Sequence, residues 1–221
     1  MLMENREETA KMMDAAQNKH DEVAIAAREA AILGSPERVT PLSPETISAE
    51  ALQTIIAMRA GVGITEMAAI PGYFLIMAHH PKLMRAQIDM GTTLFHGLIP
   101  VRERELAVLR LAWLARAPYE WGEHVDISKR YGVTDAEVAC AIEGSKAPNW
   151  TGHEAAILAG VEELFADQFI TDDTWAILAE SWNEAQLIEF PTMVGQYIAT
   201  AYVQNSLRMR LAKDNPGLTH R

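Results

Sequence analysis

The 221 residues are 49% hydrophobic and 22% charged, the balance of a folded globular chain rather than a disordered one. Thirty Asp and Glu against 19 Lys and Arg leave a formal charge of −11, which repels nucleic acid and anionic membrane over most of the surface. The single cysteine, Cys140, excludes an intramolecular disulfide, two-thiol redox chemistry and a cysteine-cluster metal site.

No stretch reaches the ~20 apolar residues that a bilayer span needs. The first residues, Met1 to Glu22, lack an apolar core and a small-residue cleavage site, so no secretory signal is expected. A cytoplasmic protein without a membrane partner is the expectation. Residues 5–33 read as a charged, alanine-rich helix that stops at Gly34 and Ser35-Pro36, and Pro36, Pro41 and Pro44 mark a linker. Residues 1–40 are therefore expected to form an N-terminal helical arm and linker outside the compact body, and 41–221 the helical domain. With Met12, Val23, Ile25, Ile32 and Leu33 along it, the arm is either an ill-ordered terminus or a helix that packs on a neighbouring subunit.

Ser43 is expected to cap the next helix, with Pro44 in its first turn and an end near Ala60 at Gly61-Val-Gly. Pro71-Gly72 is a second break, and Pro81 can open a helix to about His96. Pro100 opens a helix over 101–116, Pro118 marks the turn into 119–131, and Gly132 fits the left-handed position that ends a helix. Thr134–Glu137 and Thr151–Glu154 are capping boxes, the second starting a helix to about Asp167. Thr171 starts another, and 183–210 is a long helical pattern with Pro191 as an expected kink. No segment alternates apolar and polar residues, so the expectation is an all-α bundle of about nine to eleven helices.

The chemistry concentrates between Val101 and His124. Glu105, Leu109, Ala112 and Trp113 share one face of a helix, and Glu120, His124 and Ile127 share a face of the next. A glutamate four residues before a histidine can hydrogen-bond the ring and raise its pKa. If an apolar pocket also raises the pKa of Glu105, the two form an acid/base pair poised near neutrality. Trp113, Tyr119 and Trp121 are close enough in sequence to line an aromatic pocket, and Arg102, one turn before Glu105, offers a bidentate fork for a substrate carboxylate. The adjacent His79 and His80 point about 100° apart on a helix, and nothing nearby completes a metal site. His96 and His153 fit surface or cap positions.

Arg102-Glu-Arg-Glu-Leu106, the apolar helix behind it, Tyr119-Glu-Trp-Gly-Glu-His124 and Gly132-Val-Thr-x-x-Glu137 carry a resemblance. The span 71–144 resembles the carboxymuconolactone decarboxylase family, which includes the alkylhydroperoxidase D-like (AhpD-like) proteins. In the peroxidase branch a Glu stands twelve residues before a Cys-x-x-Cys-x-x-x-His motif. On this chain the Glu falls on Glu105, the thiol positions on Ala117 and Glu120, and the His on His124. Cys140 matches neither thiol position. Glu120 with His124 is similar to the decarboxylase branch, where Phe-Glu-Leu-x-x-His occupies this place.

The resemblance implies an AhpD-like helical fold and a homo-oligomer, whether dimer, trimer or hexamer. It also implies a cofactor-free lyase or isomerase acting on a small, aromatic-derived lactone or keto acid. Under it His124 is the proton donor, Glu120 orients and charges it, and Glu105 is the second acid or base. No metal is expected. The alternative is a non-catalytic helical oligomer with a vestigial Glu–His site, and the weakest reading is a peroxidase using Cys140. An offset of 81 residues lays Glu105-Leu106 on Gln186-Leu187 and His124 on Asn205, which fits either a degenerate duplication or chance.

Overall fold

A computed structural model describes residues 22–43, 45–61 and 70–221. The readings of Met1–Asp21, of Pro44 and of Gly63 fall outside these residues. Among the described residues the chain is all-α, with no strand: a helical run over 22–33 (α1) and nine further helices, followed by a short 3-10 turn at Gly217–Thr219. These are α2 (Ala49–Gly61), α3 (Gly72–Met77), α4 (Pro81–Phe95), α5 (Val101–Leu114), α6 (Pro118–Arg130), α7 (Asp135–Glu143), α8 (Gly152–Asp167), α9 (Asp172–Ser181) and α10 (Glu184–Leu207).

The helix boundaries follow local chemistry. Pro81 and Pro118 each sit in the first turn, where a missing N–H costs nothing. Thr134 and Thr151 form the expected capping boxes with Glu137 and Glu154, and Gly132 takes a φ of 86° after α6. One expectation is corrected. The second helix starts at Ala49, where Ser48 Oγ accepts from Ala51 N at 3.2 Å, while Ser43 and Thr46 close a separate turn. His80, exposed at the surface, caps α4, its Nδ1 accepting from Leu83 N at 3.2 Å. Its neighbour His79 pairs through Nε2 with Thr40 O at 2.9 Å. The helix α10 runs through Pro191 without interruption.

The core is organised around α5. Every residue from Arg104 to Ala112 is buried, because α6, α7, α8 and α10 enclose this helix on all sides. Leu106, Leu109, Trp121, Val125, Ile157, Leu158 and Phe190 fill the space between them. A helix buried all round cannot leave its charges unpartnered. Arg110 accordingly donates to Glu162 at 2.8 Å and to the carbonyls of Ala141 and Ile142. A second apolar cluster, with Ala51, Ile55, Met84 and Ile88, joins α2, α3 and α4.

Residues 22–40 do not stand outside this body. Ile32 is buried, Ile25 packs on the main core, and the exposed Val23 faces away. Arg28 Nε donates to Arg116 O at 3.1 Å, and Glu29 accepts from Leu218 N at 2.6 Å. The Arg210 guanidinium donates to the carbonyls of Leu33 and Ser35. The chain's own C-terminal segment thus binds α1, a partner that no local pattern in the first forty residues encodes.

That segment is anchored on α6 at a glycine. Asn215 lies where a side chain at position 122 would go: a Cβ there would come within 1.7 Å of Asn215 Oδ1. The Asn215 amide bridges Tyr119 O, Glu123 and Gly217 N. Gly122→Ala is expected to displace this anchor and cost about 1–3 kcal/mol of stability, as overpacked sites do. Urea denaturation checks it, and an unchanged midpoint would show that Asn215 rotates away freely.

Candidate active site

The α5–α6 pair is a tight antiparallel hairpin, closed by Ala115–Ala117, with Ala117 N donating to Ala112 O at 3.0 Å. This geometry sets Glu105 of α5 opposite His124 of α6. His124 Nδ1 lies 2.7 Å from Glu105 Oε2, and Nε2 lies 3.4 Å from Glu120 Oε1 one helical turn earlier. The Glu105 side chain is 0% exposed and that of His124 10%. Because each ring nitrogen faces a carboxylate, both must carry hydrogen for both contacts to be favourable. The arrangement therefore selects the imidazolium.

Two further groups complete the array. Arg104 folds back to donate twice to Glu105 Oε1, at 3.0 and 2.8 Å. It also donates to Phe95 O and lies 4.4 Å above the Phe95 ring. From α10, Gln204 Nε2 donates to Glu120 Oε2 at 2.6 Å, while its Oε1 is buried without a partner. Tyr197, also on α10, packs edge-on to the His124 ring at 5.3 Å. Arg104 and His124 balance Glu105 and Glu120, so the buried array is neutral overall.

Its electrostatics run opposite to one expectation. Burial alone would raise the Glu105 pKa, but His124 and Arg104 outweigh it and hold Glu105 below the usual carboxylate range. Glu105 is a fixed anion rather than an acid poised near neutrality. For His124, burial disfavours the charged ring, yet Glu105 and then Glu120 overcome it and raise the pKa to about 10. Burial first, and the two carboxylates next, push the Tyr197 hydroxyl far above its ordinary value and keep it neutral. Tyr73 on α3 is raised to about 12, mainly by burial and secondarily by Glu120.

The remaining sequence candidates make other contacts. Trp121 is fully buried, packs at 4.9 Å against Trp113 with the ring planes inclined by 58°, and donates to His220 O at 3.0 Å, so this pair serves the C-terminal anchor. Tyr119 is half-buried near Glu120 and Glu123, and its hydroxyl is pushed up, chiefly by burial. Arg102 reaches Glu137 and Glu154, at 3.0 Å for the latter. These are the capping-box glutamates of α7 and α8, so Nη2 of Arg102 ties three helix N-termini together, while its Nη1 is buried without a partner. Arg102→Met is expected to cost about 1–2 kcal/mol, the scale of charge-assisted hydrogen bonds. Thermal unfolding checks it, and an unchanged Tm would contradict it.

Cys140 is buried on α7, where its sulfur accepts from Asn149 Nδ2 at 3.4 Å. Among the described residues no group of His, Cys, Asp and Glu is arranged to hold a metal ion, and no helix is long and apolar enough to cross a membrane. His153 lies 3.5 Å from Glu103 and edge-on to Trp182. Gln186 and Asn205 both sit on the unbroken α10, whereas Glu105 and His124 sit on two helices, so the 81-residue offset aligns a hairpin with a single helix.

Sequence reasoning missed Arg104, Tyr197 and Gln204. Arg104 was visible beside Glu105, but adjacent helical positions diverge by about 100° and only a long, folded-back side chain brings them together. Tyr197 and Gln204, two turns apart on α10, carried no local signal at all.

Residues 81–163 match the carboxymuconolactone decarboxylase family. The fold is similar to that of an alkylhydroperoxidase AhpD core, a peroxidase-related protein from Ralstonia eutropha JMP134. The identity is 17%, the match covers 81% of this chain and 95% of that one, and the TM-score is 0.68. A peroxidase-related protein from Silicibacter sp. TM1040 is similar at 13% identity, over 82% and 96% of the two chains, with a TM-score of 0.67. The debrominase Bmp8 is similar at 18% identity, over 80% and 94%, with a TM-score of 0.65. At these identities the likeness is one of fold. No curated protein matches the chain by sequence.

Proposed function

Because residues 81–163 belong to the carboxymuconolactone decarboxylase family, we propose that the chain is a thiol-independent, cofactor-free acid–base enzyme of the lyase or isomerase type. Its substrate in this reading is a small lactone or keto acid derived from an aromatic compound. The observation that carries the reading is the buried imidazolium of His124, held firmly at Nδ1 by Glu105 at 2.7 Å and loosely at Nε2 by Glu120 at 3.4 Å. The loose end is the one that can turn its proton to a substrate.

In a lactone decarboxylation, the bond to the carboxylate carbon breaks, CO2 leaves, and the electron pair spreads into the lactone carbonyl as a dienolate. His124 Nε2 then delivers its proton to the carbanionic carbon and takes another from water. Glu105 keeps the ring oriented and charged, with Arg104 fixing Glu105 in turn. Gln204 holds Glu120 against the ring. A pKa near 10 suits protonation of a strongly basic carbon and keeps the donor loaded at neutral pH. Ala117 and Glu120 occupy the positions of the peroxidase thiols, and Cys140 lies on another helix, so no thiolate serves this centre.

One observation favours a second reading, a non-catalytic helical oligomer that keeps the array for stability. The groove lined by Trp113 and Leu218 and the cleft between α2 and α4 both lie away from His124. A turnover screen over lactones and 2-keto acids, read as CO2 release and as proton exchange by NMR, separates the two. Turnover that His124→Gln removes supports the enzyme; a protein inert to the whole panel supports the scaffold.

A further inference from the structure

A groove of about 610 Å³ runs between α1, α5, α7 and the C-terminal residues, away from His124. Its size is that of a small-molecule site. The indole of Trp113 is half-buried in its wall, and Ile25 and Leu218 add apolar surface. Three guanidiniums border it: Arg28, Arg116 and Arg221.

In a chain of formal charge −11 this concentration of arginine is unexpected. Arg28 Nε donates to Arg116 O at 3.1 Å, Arg221 donates to the carbonyls of Leu218 and His220, and Arg221 lies 5.4 Å from the Trp113 ring centre. Among the described residues none of the three is paired with a carboxylate. Glu22 and Glu143 at the exposed rim offset only two of the three charges. Arg116 holds φ at 46°, the left-handed residue that ends α5, and this turn presents both its side chain to the groove and its carbonyl to Arg28.

We propose that this groove is a binding site for a planar aromatic monocarboxylate. The ring would lie against Trp113 and the apolar wall, and the carboxylate would take the guanidinium fork of Arg116 or Arg28. The site is separate from the His124 centre and does not depend on what that centre catalyses.

Titration calorimetry of the full chain with 2-naphthoate tests it, with 2-naphthamide and cyclohexanecarboxylate as controls for charge and planarity. One-to-one binding of 2-naphthoate is expected, at least tenfold tighter than either control. Arg116 is exposed and its guanidinium makes no hydrogen bond or ion pair among the described residues, so Arg116→Met should stay folded and weaken binding at least tenfold. Arg28→Met provides the second variant, and the His124 ring resonances should not move on titration. Absence of binding up to millimolar naphthoate, equal affinity for the amide, affinity unchanged in both arginine variants, or a shift of His124 on binding would each overturn the proposal.

Discussion

Glu105→Gln is expected to cost about 3–5 kcal/mol of folding stability at neutral pH, the usual penalty for removing one partner of a buried ion pair. The side chains of Arg104 and Glu105 are 1% and 0% exposed, and His124 lies on the other oxygen of the same carboxylate. Losing that single anion leaves two cations facing one another without solvent. His124 can relieve the repulsion by giving up its proton, so its pKa is expected to fall several units in the same variant.

The sign of the pH dependence follows. A histidine raised from 6.5 to about 10 by folding contributes stability that is fully present below 6.5 and lost as pH climbs through about 10. Glu105, lowered from 4.5, contributes stability that is present above 4.5 and lost as pH falls through its lower folded value. The two groups together favour the wild type most between about 4.5 and 6.5. In Glu105→Gln the alkaline decline should flatten. Urea denaturation across this range measures both effects, and a variant within about 1 kcal/mol of wild type, with the same alkaline slope, would contradict the buried array.

His124→Gln is expected to reduce turnover of any substrate found in the screen by about 10²–10⁴-fold, the contribution of a positioned general acid. Glutamine keeps the approximate shape and can still donate toward one carboxylate, so near-UV circular dichroism should report a folded protein. Glu120→Gln leaves the ring bound to Glu105 and should retain part of the activity. Its pH–rate profile should lose its alkaline limb at lower pH than the wild type, because one of the two anions that raise His124 has gone. Turnover indifferent to His124→Gln would place the chemistry elsewhere.

The fold was legible because its punctuation is local. Pro81, Pro118, Gly132 and the boxes at Thr134 and Thr151 act within one helical turn, and each stands where the sequence put it. The α5–α6 hairpin brings Glu105 and His124 together because a short turn leaves two antiparallel helices little choice of register. What stayed hidden required distant partners. That Arg102 also meets the capping glutamates of α7 and α8 depends on helices 35 and 52 residues away. Residues 22–40 resemble an arm until Arg210 and Leu218 close over them. The direction of the Glu105 shift was missed for the same reason: an apolar face suggests a raised acid, and the adjacent Arg104 reverses it.

The most direct test of the central claim, a buried imidazolium between two carboxylates, is an NMR titration of the His124 ring with His124→Gln as the assignment control. The account predicts a ring still protonated at pH 8, titrating well above 6.5 toward about 10, and moving down in both Glu105→Gln and Glu120→Gln. A ring that titrates near 6.5 and ignores both substitutions would be a solvated histidine, and the array described here would not exist.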